Sequence, residues 1–262
     1  MKPILLLLTP LFLFAKVHYA KIEPFETITL KSAVAAQVTK ADIKREGTTL
    51  TGTIVKLDSK LDLIKINSSK KSLQFIERMI QTNQEILMAL EESMSRQEAY
   101  YFRIESIASA SNTQKDNAFY AYTNAKTQYL STQEKIDNLK KQKLDLNYEI
   151  TRLQDSISKK SIKVKNKFIY KLLVNKGDFV NMETPLAQVQ DLNKGKLVLF
   201  LESKELEDIK SKTIYIDDKA TKFKVSKIWK VADEKFISSY RTEILIKNPK
   251  KGFSKLLKVE FK

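Results

Sequence analysis

Apolar side chains recur at alternating three- and four-residue steps through residues 69–158. This spacing is the heptad pattern of helices that pair along a narrow apolar seam. It keeps one phase on a first segment, where Asn83 and Gln97 are polar interruptions, and another phase on a second, and neither segment contains Gly or Pro. The predicted seam positions are Leu73, Ile76, Ile80, Leu87, Leu90, Met94, Tyr101, Ile104 and Ala108 on the first helix, and Tyr122, Ala125, Tyr129, Ile136, Leu139, Leu146, Ile150, Leu153 and Ile157 on the second.

The change of phase falls in a run of small polar side chains at residues 109–113. Such side chains compete for backbone hydrogen bonds, so the run predicts a turn. Two helices of roughly 40 residues, at 1.5 Å per residue, give a rod of about 60 Å. Because one partner helix covers a seam this narrow, we predict an antiparallel coiled-coil hairpin at residues 65–159. Two long helices within a bundle are the alternative, although a bundle needs a wider apolar face.

Short strand patterns with glycine turns flank the hairpin on both sides. Glu46 and Gly47 open such a pattern before it, and Gly177 and Asp178 open one after it. In each flank an apolar strand residue, a second turn and another strand follow. An antiparallel hairpin returns the chain to where it left. The flanks, residues 32–64 and 160–193, are therefore predicted to be two halves of one small β domain.

The last part of the chain, residues 194–262, is predicted to form a further β unit. Strand patterns at 197–201, 213–216, 223–231, 242–246 and 256–261 suit a small barrel or sandwich. A short helix is predicted at 204–210 with Ser203 as its cap. Residues 16–31 are strand-like and would join this barrel from the other end.

Composition limits the classes of partner. With 262 residues, length alone allows one or two domains, and the hairpin leaves about 150 residues for compact structure. Its 47 Lys and Arg against 31 Asp and Glu give a net charge of +16, which raises nucleic acid as a partner. The lysines are spread over all predicted elements, however, and no aromatic and basic platform accompanies them. We therefore expect no nucleic-acid partner, and a codon preference for Lys explains the excess equally well.

The N-terminus has the pattern of a secretory signal. Met1 and Lys2 precede an apolar run at residues 4–14 that ends at Ala15. The run is short for a membrane span. We predict a signal peptide at residues 1–15, with cleavage after Ala20 or retention as an anchor as the alternatives. The chain has no cysteine, so neither a disulfide framework nor a lipidation site is expected.

The order of half β domain, helical hairpin, second half and barrel resembles that of the periplasmic adaptor proteins, or HlyD-type membrane fusion proteins, of tripartite efflux pumps and type I secretion systems. The resemblance implies an α+β fold, in which a long α-helical hairpin is inserted in a split lipoyl-like β domain and a small β-barrel follows. The matching residues are Glu46, Gly47, Gly52, Leu57 and Asp58 in the first half, Gly177, Asp178, Val180, Pro185, Leu186 and Asp191 in the second, and Leu197, Val198, Glu205 to Lys210 and Arg241 to Ile244 in the barrel.

The sequence departs from the family pattern in three places. Residues 165–168 replace the usual Ala-Pro and glycine of the second half, and Leu256 and Leu257 stand where Gly-Met usually precedes the last strand. The chain stops at Lys262, so the extra membrane-proximal domain of many adaptors is expected to be absent or reduced to the N-terminal strands. These departures bear on how tightly an inner-membrane transporter is held.

The resemblance implies that the hairpin tip contacts an outer-membrane channel. Some family members carry Arg, Leu four residues on and Ser seven further at this tip. Arg103 and Ile107 have the first spacing here, Gln114 stands in place of Ser, and Ser111 and Thr113 are close by. An apolar residue beside Arg and short polar groups suits a groove between partner helices. The alternative is that Arg103 is a solvated charge and Ile107 only packs at the tip.

A second implied site is the turn at Asn175 and Lys176, which the resemblance directs toward the central channel of an adaptor ring. The alternative is a polar turn selected for its backbone alone.

The expected function is non-enzymatic. His18 is the only histidine, no metal-ligand spacing accompanies it, and we expect no metal or cofactor. The resemblance implies a periplasmic subunit, associated with the inner membrane, whose partners are an ABC, RND or MFS transporter and a TolC-type outer-membrane channel. A homo-oligomeric ring would form a sealed conduit. The alternative is a coiled-coil scaffold of the envelope with no conduit, and the sequence does not name the cargo.

Overall fold

The computed structural model describes residues 16–247, 249 and 253–262, so the predicted signal peptide at 1–15 lies outside the described residues. The chain divides into a hairpin unit, Leu57–Ser161, and a β unit formed by the described residues before and after it. The helices are α1 (Lys60–Glu105), α2 (Asn112–Lys159) and α3 (Ser203–Leu206). The strands are β1 (His18–Lys31), β2 (Ala36–Ala41), β3 (Thr49–Leu57), β4 (Ser161–Leu172), β5 (Phe179–Val180), β6 (Pro185–Glu202), β7 (Ile214–Ile216), β8 (Lys219–Ala220), β9 (Val225–Ala232), β10 (Ser239–Lys247) and β11 (Leu256–Phe261).

The hairpin unit is an antiparallel pair of helices with 46 residues in α1 and 48 in α2. The predicted seam side chains are buried or half-buried along both helices, whereas Ala108 lies beyond the end of α1 and is exposed. Two polar side chains at the seam have partners: the Asn83 amide donates to the Met79 carbonyl within α1 at 2.7 Å, and Lys143 of α2 pairs with Glu77 of α1 at 2.9 Å. The predicted coiled coil is confirmed.

The base of the hairpin unit is closed by contacts between its two ends. The Leu57 N–H donates to the Lys160 carbonyl at 2.8 Å, and the Lys160 ammonium pairs with Asp62 at 2.5 Å. Helix α1 begins at Lys60, before the predicted boundary at 65, because the Asp58 carboxylate accepts the Lys60 N–H at 2.9 Å.

In the β unit, the two flanks of the hairpin pair with each other. The Gly177 N–H donates to the Val38 carbonyl at 2.8 Å, and the Ile169 N–H donates to the Thr48 carbonyl at 2.9 Å. The strand order across this part is β5-β2-β3-β4-β6. Segments that precede and follow the hairpin in sequence therefore share one sheet.

Strands β1 and β6 differ from their predicted boundaries. Strand β6 is continuous through residues 193 and 194, where the sequence predicts a domain boundary. Strand β1 pairs with β11 only from His18 to Lys21, and from Ile22 onward it pairs with β6. Pro24 is accommodated because the register shifts just after it. Residues 16–31 are predicted to join the barrel, and within them Glu26 to Lys31 pair with residues 185–191 of the predicted second half of the split domain.

The C-terminal part of the β unit has the strand order β9-β10-β6-β1-β11-β7-β8. Its core is a cluster of aliphatic side chains that includes Leu197, Leu201, Ile244 and Val259. Within the described part of the chain no pairing joins β8 to β9, so this sheet is an open one and not the closed barrel of the prediction.

Local features in this sheet also differ from the prediction. The predicted helix at 204–210 is shortened to α3, and its N-cap is Glu202 instead of Ser203. The Glu205 carboxylate accepts the Glu202 N–H at 2.9 Å, which fixes the helix start one residue earlier. The turn at Asp217 and Asp218 has positive φ at both residues, 48° and 64°, as in a tight β-hairpin turn, and it joins β7 to β8, which the strand patterns did not include.

Candidate functional site

The tip of the hairpin is a short, ordered connection between α1 and α2. The Ser111 hydroxyl accepts the Gln114 N–H at 3.3 Å, and the Gln114 side chain accepts the Ser111 N–H at 2.9 Å. This capping box satisfies two backbone donors and starts α2 at Asn112. The predicted turn at 109–113 is therefore shifted toward the N-terminus, and Thr113 lies in the first turn of α2.

The end of α1 is capped from across the connection. The Lys115 ammonium donates to the Glu105 carbonyl at 3.2 Å, and the Ser106 hydroxyl donates to the Arg103 carbonyl at 2.8 Å. Positive charge at a helix C-terminus stabilises the carbonyls that have no partner within the helix. Both helix ends at the tip are therefore ordered by local hydrogen bonds.

The predicted tip residues separate into two groups. Ser111 and Gln114 bond to each other and order the backbone. Arg103, Ile107 and Thr113 are exposed, with Ile107 at 41% and the Arg103 guanidinium 5.8 Å from the centre of the Tyr100 ring. Such a cation–π contact holds the Arg103 side chain against the helix while its donors stay in solvent. An apolar side chain and a cation are thus presented together by a fixed turn.

An aromatic cluster that we call the aromatic collar lies behind the tip. Tyr101 stacks on Tyr122 across the two helices with ring centres 6.0 Å apart, and Phe119 lies edge-on to Tyr101 at 5.7 Å. Phe102 and Tyr120 are 60% and 62% exposed. Its members are Tyr100, Tyr101, Phe102, Phe119, Tyr120 and Tyr122.

A partly buried hydrogen bond between the two helices holds one collar residue, Tyr122, in place. The Tyr122 hydroxyl donates to the Glu98 carboxylate at 2.7 Å, and this bond raises the pKa of Tyr122 above its ordinary value. Of the six collar residues, the heptad pattern includes only Tyr101 and Tyr122. The other four rings lie off the seam, and the signal for them is the density of aromatic residues at 100–102 and 119–122.

The predicted turn at Asn175 and Lys176 belongs to the β unit. The Asn175 N–H donates to the Asp178 carboxylate at 2.7 Å, and Gly177 has a φ of +101° that favours glycine. Both predicted side chains are exposed. The backbone contacts account for the shape of the turn, and a role for Asn175 and Lys176 in a channel stays a prediction.

The described residues include the single histidine of the chain, His18, and all of its acidic side chains. Among them, no group of three or more His, Cys, Asp or Glu side chains is placed to hold a metal ion. His18 Nε2 instead lies 2.6 Å from the Glu205 carboxylate. None of the helices described is both long and apolar enough to cross a membrane.

Comparison with known proteins gives matches in structure only. Neither a protein-family model nor a curated protein matches the sequence. The crystal structure of MacA from Actinobacillus actinomycetemcomitans has a TM-score of 0.66 and 18% identity, covering 94% of this chain and 76% of MacA.

Two further similar structures are those of a periplasmic adaptor protein and a membrane fusion protein. The periplasmic adaptor protein EmrA has a TM-score of 0.50 and 13% identity, covering 94% of this chain and 99% of EmrA. The membrane fusion protein Spr0693 from Streptococcus pneumoniae R6 has a TM-score of 0.56 and 13% identity, covering 95% of this chain and 99% of its own. At these identities the matches establish the fold. The chain therefore has the fold of the periplasmic adaptor and membrane fusion proteins, the family that its sequence resembles.

Proposed function

We propose that the protein is a periplasmic adaptor subunit that bridges an inner-membrane transporter to a TolC-type outer-membrane channel. The observation that carries this proposal is the insertion of two paired helices, α1 and α2, between segments that share one β-sheet. EmrA, a protein of the same fold, is described as a periplasmic adaptor. The adaptor is non-enzymatic, and the transporter supplies the energy for export.

The tip supports a docking role at the outer-membrane channel. Ile107 offers an apolar side chain, and Arg103 offers a planar group of donors beside it. The ordered connection between the helices lowers the entropy that binding costs. A helical groove with acidic or carbonyl groups is the partner chemistry that this tip fits.

Exposed apolar residues on α1 support side-by-side packing of several hairpins. Met79, Ile86 and Tyr100 follow one another at intervals of seven and fourteen residues, so they lie along one side of α1 immediately beside the seam. All three are exposed. Flanking heptad positions contact neighbouring helices when coiled coils associate. A closed ring of copies would cover this stripe and seal a central conduit, with the turn at Asn175 and Lys176 lining it.

Cysteine crosslinking in living cells tests the proposal. The chain has no cysteine, so Ser111→Cys gives one thiol at the tip. We expect this variant to crosslink to an outer-membrane protein. Ser68→Cys, an exposed position near the base of α1, is the matched control and should give no such product. Absence of an outer-membrane product from the tip variant would contradict the proposal.

The exposed stripe on α1 is also what a non-conduit envelope scaffold would use to bind one partner helix. Rotational assembly separates the two functions, because a conduit requires a closed ring. Electron microscopy of crosslinked assemblies should show rings for an adaptor. Single hairpins with one bound partner would favour the scaffold.

A further inference from the structure

The β9–β10 hairpin in the β unit leaves large apolar side chains uncovered. Val231 at the end of β9 is 77% exposed, and Phe236 and Ile237 in the connection are 51% and 87% exposed. Single exposed apolar residues are ordinary on protein surfaces, but three that adjoin at one loop form a patch. The three side chains therefore form a local apolar patch on the surface of the β unit.

The turn that carries the patch is fixed by its own hydrogen bonds. The Asp233 carboxylate accepts the N–H groups of Lys235 at 2.9 Å and Phe236 at 3.3 Å. The Asp233 N–H donates to the Ser239 carbonyl at 2.9 Å. Ile237 is consequently held in solvent by an ordered backbone, so it is not a side chain that a small loop movement would bury.

A layer of aromatic and cationic side chains lies behind the patch. The Lys227 ammonium is 4.3 Å from the Trp229 ring centre and the Arg241 guanidinium is 4.9 Å from it. The centres of the Phe200 and Phe236 rings are 4.2 Å apart. Both rings line an open cleft of about 580 Å³ that Trp229 and Arg241 also line. Trp229 is the only tryptophan in the chain. Tryptophan is enriched at the interface between membrane and water.

The β9–β10 hairpin carries more cationic than acidic side chains. Of the acidic groups between residues 222 and 243, Asp233 is occupied by the turn, Glu243 pairs with Arg241 at 2.9 Å, and Glu234 is the third. The cationic residues in the same range are Lys222, Lys224, Lys227, Lys230, Lys235 and Arg241. An anionic partner surface complements this charge, whereas a second copy of the same patch would be repelled by it.

We propose that the β9–β10 tip inserts into the interfacial layer of a membrane that contains anionic phospholipid. Ile237, Phe236 and Val231 enter the boundary of the acyl chains, and Trp229 lies at the level of the headgroups. The lysines extend to lipid phosphates while their carbon stems cover apolar surface. This contact goes beyond the adaptor role and does not depend on it, since it is argued from the β unit alone.

Trp229 supplies a local probe for the test. The full chain is mixed with vesicles whose phosphatidylglycerol or phosphatidylcholine carries bromine on the acyl chains. We expect quenching of Trp229 fluorescence by the phosphatidylglycerol vesicles and much less by phosphatidylcholine alone. Attachment through the apolar N-terminal segment would bring the protein to vesicles without quenching Trp229. Vesicle binding without quenching therefore overturns the proposal.

Two variants make the test specific. Ile237→Asp should weaken the lipid-dependent quenching about tenfold or more, because it removes apolar area and adds a like charge to the lipid. Its thermal unfolding should not change, since the side chain is exposed. Met182→Asp, at a 67% exposed position on another turn of the β unit, is the matched control. Its Trp229 fluorescence should be quenched by the vesicles as in the unsubstituted protein. Equal quenching of Ile237→Asp and the unsubstituted protein would overturn the proposal. So would self-association, seen in sedimentation velocity without vesicles, that Ile237→Asp abolishes.

Discussion

The N–H of Gly177 donates to the carbonyl oxygen of Val38 at 2.8 Å, and the two residues lie on opposite sides of the helical hairpin in the sequence. The N–H of Val38 in turn donates to the neighbouring Asp178 carbonyl, also at 2.8 Å. These bonds join the flanks without any contribution from α1 or α2. The sheet of the split domain therefore has its own long-range pairing.

We expect the β unit to fold when residues 60–159 are replaced by a short Gly-Ser linker. The Leu57 N–H lies 2.8 Å from the Lys160 carbonyl, so the two ends need only a few residues to join them. The shortened protein should unfold cooperatively in urea, with Trp229 fluorescence as the probe. Deletion of residues 36–41, which removes β2 and its bonds to the second flank, should abolish that transition. A hairpin-less chain without cooperative unfolding would show that the helices are needed to form the sheet.

Substitution of Gly195 by Ala should destabilise the β unit through steric overlap. A Cβ at this position would lie 2.6 Å from Ile22 Cγ2 and 3.2 Å from Pro249 Cγ. Overpacking of this kind costs about 1–3 kcal/mol in the free energy of unfolding. Gly195→Ala combined with Ile22→Ala should cost less than the sum of the single substitutions, because the clashing methyl group is absent. Additive free energies in urea unfolding would exclude this contact as the cause.

Gly195 also shows why strand boundaries were harder to predict than the helices. The sequence predicts a domain boundary at residues 193 and 194, beside this glycine. In the structure β6 continues through it, and the glycine serves the close approach of β1. A close approach depends on a partner strand that is distant in sequence, and no local pattern reports it. The heptad period, by contrast, is a local property, so it predicted the paired helices correctly from seam residues such as Ile80 and Ile136.

The sequence predicts which residues form the tip, but not which of them order the turn and which are free to contact a partner. The spacing of Ser111 and Gln114 is that of a capping box, which is visible in the sequence and explains why these two residues order the turn. The heptad pattern already leaves Phe102 and Tyr120 off the seam. The meeting of residues 100–102 with residues 119–122 depends on the register of α1 against α2, which the structure shows.

The pairing of Glu205 makes stability depend on pH. Burial raises the pKa of this carboxyl, but the hydrogen bond from the Glu202 N–H, the contact with His18 and the positive charge of Lys16 outweigh it, so the pKa lies below its ordinary value. A lowered carboxyl pKa stabilises the fold above the pKa of the unfolded state, about 4.3, and this stabilisation is lost as the pH falls through the lower folded value. We expect Glu205→Gln to be less stable than the unsubstituted protein at pH 7, and the difference in the free energy of unfolding to shrink as the pH falls below about 4.3. Urea unfolding across this range checks it, and a gap independent of pH would contradict the assignment.

Substitutions in the aromatic collar should affect either docking or stability, depending on whether the ring is exposed or packed between the helices. Phe102→Ala with Tyr120→Ala should reduce the Ser111→Cys crosslink to the outer-membrane partner several-fold and leave thermal unfolding nearly unchanged, because both rings are exposed. Tyr101→Ala removes the ring stacked on Tyr122 and should destabilise the hairpin by about 2 kcal/mol. An unaltered crosslink in the double variant would remove the collar from the docking surface.

Ile107→Asp should abolish export, because a charge would have to be buried in the groove that the tip enters. The side chain is 41% exposed and lies outside both helices, so the melting temperature should not fall. Ile107→Leu, which keeps the apolar volume, should retain export and serves as the matched control. Cells that lack the chromosomal copy and carry each variant are compared for accumulation of the exported compound, with periplasmic protein levels measured in parallel. Normal export by Ile107→Asp at normal protein levels would show that the tip does not dock through this residue, and the bridging role would then need a different contact surface.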